Sequence, residues 1–112
     1  YLEFAACMRE LYPEVRTLIG TIDAFPSLDP VVNELHDHRV ERVLLKPLLI
    51  ASGMHAARDL AGPGADSWQS RLTAAGFTTV IQPAGLGEQP AFCQVLVEHI
   101  AEAAAAAGLE LA

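Results

Sequence analysis

Apolar and polar positions along the chain follow two periods. In "YLEFAACMRELYP" (1–13), Leu2, Ala5, Ala6, Met8 and Leu11 fall near one face at helical spacing, and Pro13 stops the run. This predicts an amphipathic helix already under way at residue 1. "VRTLIGTI" (15–22) is short, apolar and β-branched, which predicts a strand. After the loop "DAFPSLD" (23–29), Asp29 is expected to cap a helix, "DPVVNELHDH" (29–38), with Pro30 at its first position. "VERVLLKPLLI" (40–50) reads as a second strand, where Pro47 forbids one ladder hydrogen bond and marks a bulge or the point of departure from the sheet.

"GMHAARDLAG" (53–62) reads as a short helix or turn. Asp66 or Ser67 caps "SWQSRLTAAG" (67–76), which Gly76 ends. "FTTVIQPAG" (77–85) is the third strand, and "EQPAFCQVLVEHIAEAAAAAG" (88–108) is a long final helix closed by Gly108. Strands thus alternate with helices, and the two most apolar strands lack a polar face. That pattern predicts an α/β fold with an open, doubly wound, mainly parallel sheet and helices on both faces. Ligands of such sheets bind beyond the carboxyl ends of the strands. Asp23 follows the first predicted strand and His55 the second, so both are expected at one rim.

Composition narrows the class. The 112 residues suit one domain, and a hydrophobic fraction of 52% is enough to fill a core. The mean hydropathy of +0.29 argues against disorder. No apolar run reaches the roughly 20 residues of a spanning helix, so no membrane partner is expected. A net charge of −7 repels phosphate backbones and disfavours nucleic acid, but does not oppose metal cations. Cys7 and Cys93 form no C-x-x-C pair and read as buried thiols in a reducing, cytoplasmic setting. There is no G-x-G-x-x-G, phosphate loop or G-x-S-x-G elbow, so no nucleotide is expected.

The candidate chemistry is therefore acid plus imidazole. His55 has a bland reading, as a helix cap or a donor to a backbone carbonyl. Its place beside Ser52 and Gly53 favours function, since glycine admits close approach. Asp23 could form an Asx-turn. Together the two suit a divalent first-row metal such as Co, Ni, Fe or Zn, or a general base with an orienting acid. His36 and His38 lie two apart on one helix and do not face each other. His99 reads as surface or packing. Glu88 is either an acid at a helix N-terminus or a gate at the same rim.

Four segments carry a family resemblance: "GTIDAFPSLDPV" (20–31), "LLKPLLIASGMHAARDLAG" (44–62), "DSWQSRL" (66–72) and "GLGEQPAFCQVLVEHI" (85–100). In this order they resemble the carboxyl-terminal half of anaerobic-pathway sirohydrochlorin cobaltochelatases. That family inserts Co2+ into sirohydrochlorin for cobalamin synthesis without ATP, holding the metal with two histidines and an acid between two α/β lobes. The resemblance implies that His55 and Asp23 are metal ligands and catalytic residues, with Glu88 and Met54 on the substrate side. Asp23 stands where the family usually has glutamate, and Met54 where it often has aspartate.

The family's other histidine falls in a Gly-His-Gly-Thr type segment ahead of the position matching Tyr1. The resemblance therefore implies that residues 1–112 are the C-terminal lobe, without the N-terminal lobe and the first strand of this lobe. Either that lobe or self-association is expected to cover the apolar strand edges. Ni2+ and Fe2+ share the ligand chemistry of Co2+. Lys46, Arg58 and Arg71 are the cations available for the acetate and propionate groups of a tetrapyrrole. The alternative function is a metal- or tetrapyrrole-binding module without turnover. A response-regulator-like domain would need an acidic cluster that the sequence lacks.

Overall fold

A computed structural model describes residues 1–110 and, at residue 55, the backbone alone. The elements run α1 (Leu2–Leu11), α2 (Leu28–Asp37), β1 (Arg42–Leu45), α3 (Met54–Ala61), α4 (Trp68–Ala74), β2 (Thr78–Ile81), a 3-10 turn (Leu86–Glu88) and α5 (Pro90–Ala106). Among the described residues the sheet has two strands, β1 and β2, paired in parallel with Leu44 opposite Val80 and Leu45 opposite Ile81. The fold is α/β, and the strands are joined by a helical crossover, as parallel pairing requires.

The core lies on one face of this sheet. Leu28, Val31, Val32 and Leu35 recur at helical spacing on α2, and Trp68 and Leu72 do so on α4. They close over Val43 and Leu45 of β1, Ile81 of β2 and Phe77 just before it. Leu28 and Leu72 are 2% and 1% exposed. The opposite face is open: Leu44 is 65% exposed and its cross-strand partner Val80 is 48% exposed. On α1, Ala5 is the one buried residue, and on α5 it is Ala104. The radius of gyration is 17.2 Å, where a compact chain of this length has about 13 Å.

Several details differ from the sequence reading. Residues 15–22 form no strand; Thr17 to Gly20 are half-buried and Leu18 packs on the core. A strand needs a ladder partner, and among the described residues no backbone hydrogen bond involves Arg16 to Gly20. β1 is shorter than expected because pairing ends where Gln82 N–H donates to the Leu45 carbonyl at 2.9 Å, two residues before Pro47. Pro47 thus marks the strand's departure from the sheet.

α2 starts two residues early, with Ser27 at the cap position and Leu28 first in place of Pro30, and Asp29 pairs with Arg71 rather than capping the helix. Cys7 is exposed and Cys93 half-buried, because the helices carrying them are largely uncovered. As expected, Ser67 caps α4: its Oγ accepts Ser70 N–H at 3.2 Å. Gly76 and Gly108 take positive φ values of 97° and 69° past the ends of α4 and α5.

Candidate functional site

Two loops leave the carboxyl ends of the strands side by side. The segment after β1 (46–53) and the segment after β2 (82–89) are joined by backbone hydrogen bonds. Leu86 N–H donates to the Leu49 carbonyl at 2.7 Å, and Gly87 N–H to the Ile50 carbonyl at 2.8 Å. Glycine is needed here for close approach. A Cβ at Gly85 or at Gly87 would come within 2.8 Å of the Ile50 oxygen. The periodic pattern of the chain gave no sign of this seam; the spacing Gly-Leu-Gly just past a strand was its only signal.

His55 is the second residue of α3, directly beyond this seam. Its side chain lies outside the described residues. Met54, the first residue of α3, is 88% exposed. Leu48, Leu49 and Ile50 are exposed as well, so the rim presents a band of apolar side chains. Glu88 belongs to the second loop, where its Oε1 accepts Gly85 N–H at 2.8 Å. That bond steadies the turn leading into α5, and among the described residues no hydrogen bond or ion pair engages Oε2.

Asp23 sits on a different loop. The ends of residues 21–26 are tied together at one acceptor: the Pro26 carbonyl receives Thr21 N–H at 2.7 Å and Thr21 Oγ1 at 3.1 Å. Asp23 is exposed on the loop so closed, and among the described residues no hydrogen bond or ion pair engages its carboxylate. The loop is anchored through Gly20, where a Cβ would lie 2.6 Å from Cη2 of Trp68. Among the described residues no three His, Cys, Asp or Glu side chains cluster as a ligand set. His36 stacks at 4.7 Å on the core residue Phe77, so it serves packing.

The cations divide clearly. Arg71 is paired with Asp29 across α2 and α4. Arg58, one turn beyond position 55 on α3, has its neighbour Asp59 at 3.6 Å. Lys46 reaches across from the end of β1 to the chain after β2, donating to Gln82 Oε1 and, at 3.3 Å, to the Ala84 carbonyl.

Residues 1–105 match the family model described as cobalt chelatase (CbiK). The chain belongs to the cobalt chelatase (CbiK) family. The sirohydrochlorin cobaltochelatase of Salmonella typhimurium is 36% identical over 85 residues, covering 76% of this chain and 32% of that protein. Sirohydrochlorin cobaltochelatase CbiKC of Nitratidesulfovibrio vulgaris is 36% identical over 106 residues, covering 95% of this chain and 37% of that protein. This cobalt chelatase family chain therefore spans about a third of the length of the curated relatives it matches. Among its described residues no helix is long and apolar enough to cross a membrane.

Proposed function

We propose that this chain contributes to the insertion of Co2+ into sirohydrochlorin, with the metal as substrate and no nucleotide. The observation that carries the reading is the placement of position 55 at the start of α3, directly beyond the carboxyl-end seam, in a chain of the cobalt chelatase family. In open α/β sheets that rim is where ligands bind. The exposed apolar band of Leu48, Leu49, Ile50 and Met54 offers a flat macrocycle a surface of matching chemistry.

Insertion replaces two pyrrole N–H protons by one divalent cation, so the site must take up protons as the metal arrives. His55 is assigned as metal ligand and, once its nitrogen has given the metal up to the macrocycle, as acceptor of one of the two protons, the other passing to solvent; imidazole ordinarily titrates near neutral pH. Asp23 is assigned as the carboxylate ligand that guides the cation, since its loop leaves it exposed and without a partner among the described residues. Glu88 and Met54 are assigned to the substrate side of the rim. Nickel and iron suit the same ligands, and competition between metals in one assay orders them. We also infer that the two strands belong to a larger doubly wound sheet, and that the open Leu44–Val80 face is covered either by an N-terminal lobe or by self-association.

The test is His55→Ala in the full-length protein that contains residues 1–112, followed by the absorbance change of sirohydrochlorin on addition of Co2+. Loss of a proton acceptor and ligand is expected to slow insertion by about a hundredfold or more, with the circular dichroism spectrum unchanged. Insertion at the wild-type rate would overturn the assignment. Tetrapyrrole binding without turnover by the wild-type protein would identify a binding module instead.

A further inference from the structure

We propose that Lys46 forms a carboxylate subsite at the rim, taking an acetate or propionate group of the tetrapyrrole; this rests on the functional reading above. Both partners of its ammonium group, Gln82 Oε1 and the Ala84 carbonyl, are neutral. The positive charge is therefore held in place but not compensated. An ammonium has three donors, and the two used here fix the group at the junction of the strand ends. One donor remains, on an exposed side chain.

The surroundings point to the same ligand class. Lys46 is the first residue after β1, and the apolar band of Leu48, Leu49 and Ile50 follows directly. A macrocycle lying on that band would bring its charged margin to the band's edge, where the ammonium stands. Arg9, Arg16, Arg39 and Arg42 likewise have no ion pair among the described residues, but Lys46 is the cation held at the strand ends by hydrogen bonds, beside the apolar band. The other candidates are less suited: Arg71 already has Asp29 as counter-ion, and Arg58 has Asp59 beside it. The third donor can meet a carboxylate without giving up either neutral partner, and a hydrogen bond between two opposite charges adds Coulomb attraction that the neutral acceptors do not supply.

Lys46 also clips the two strand ends together, and the test must separate that role from the subsite. Binding of sirohydrochlorin and of its fully methyl-esterified form is titrated by absorbance. The wild-type protein is expected to prefer the free acid. Lys46→Met is expected to weaken binding of the free acid about tenfold or more and to leave the ester unaffected, with KM raised and kcat retained. Gln82→Leu removes a clip partner but keeps the charge, so it should preserve the preference for the acid.

Equal losses for acid and ester in Lys46→Met, or loss of the preference in Gln82→Leu as well, would reduce Lys46 to a clip and overturn the subsite. If wild-type protein bound neither form, the functional reading itself would fail, and the subsite with it.

Discussion

Gly20 lies against the indole of Trp68, so closely that a Cβ at position 20 would come within 2.6 Å of Cη2. This contact joins two segments far apart in sequence: the one that leads into the Asp23 loop and the first residue of α4. The indole is half-buried and packs on the core, and Val31 Cγ2 would lie 3.3 Å from the same Cβ.

Gly20→Ala is therefore expected to destabilise the protein by about 1–3 kcal/mol, the usual cost of overpacking. The denaturation midpoint should fall and the tryptophan emission should shift, Trp68 being the sole tryptophan. An unchanged midpoint with unchanged emission would mean that the two segments do not press on each other.

Gly87→Ala places a methyl group against the Ile50 carbonyl. The expected result is faster amide hydrogen exchange at Leu86 and Gly87's replacement, the two donors of the seam. Exchange as slow as in the wild type would show that the seam tolerates a side chain.

Asp23→Ala is expected to impair metal use more than tetrapyrrole binding, because the proposed role is toward the cation. The family resemblance implies glutamate at this position, so Asp23→Glu should retain or raise activity. A glutamate variant as inactive as the alanine variant would refute the assignment.

Arg71→Met separates the paired cation from the proposed subsite. The Arg71 and Asp29 side chains are 39% and 75% exposed, and exposed ion pairs contribute about 0–1 kcal/mol. A small loss of stability is expected, with the preference for acid over ester intact. Loss of that preference would move the carboxylate anchor from Lys46 to Arg71.

Self-association should appear as a sedimentation coefficient that rises with protein concentration. Leu44→Lys together with Val80→Lys puts like charges on facing positions of the open sheet face and should abolish that rise. A concentration-dependent coefficient in the double variant would place the contact elsewhere.

The elements readable in the sequence were those whose signal is local. α2 and α4 carry apolar stripes, Ser67 is a capping residue at a helix start, and Gly76 and Gly108 mark helix ends. Pro47 signalled the end of β1 because a missing N–H acts wherever it occurs. The segment 15–22 misled because apolar β-branched residues measure burial, not pairing, and pairing depends on a neighbour the pattern does not encode. That a helix opens at residues 54–55, after β1, was legible from the strand-then-glycine spacing. The use of Lys46 was not, since a lysine after a strand gives no hint of acceptors contributed by residues 82 and 84.

The seam between the two rim loops is made by main-chain groups: the amides of residues 86 and 87 meet the carbonyls of residues 49 and 50. Main-chain groups are common to nearly all amino acids, so this fastening is indifferent to the side chains at 49 and 50. Those side chains form the exposed band that a macrocycle would touch. Mutation can therefore reshape that surface without loosening its frame, leaving substrate preference free to drift while the architecture stays fixed.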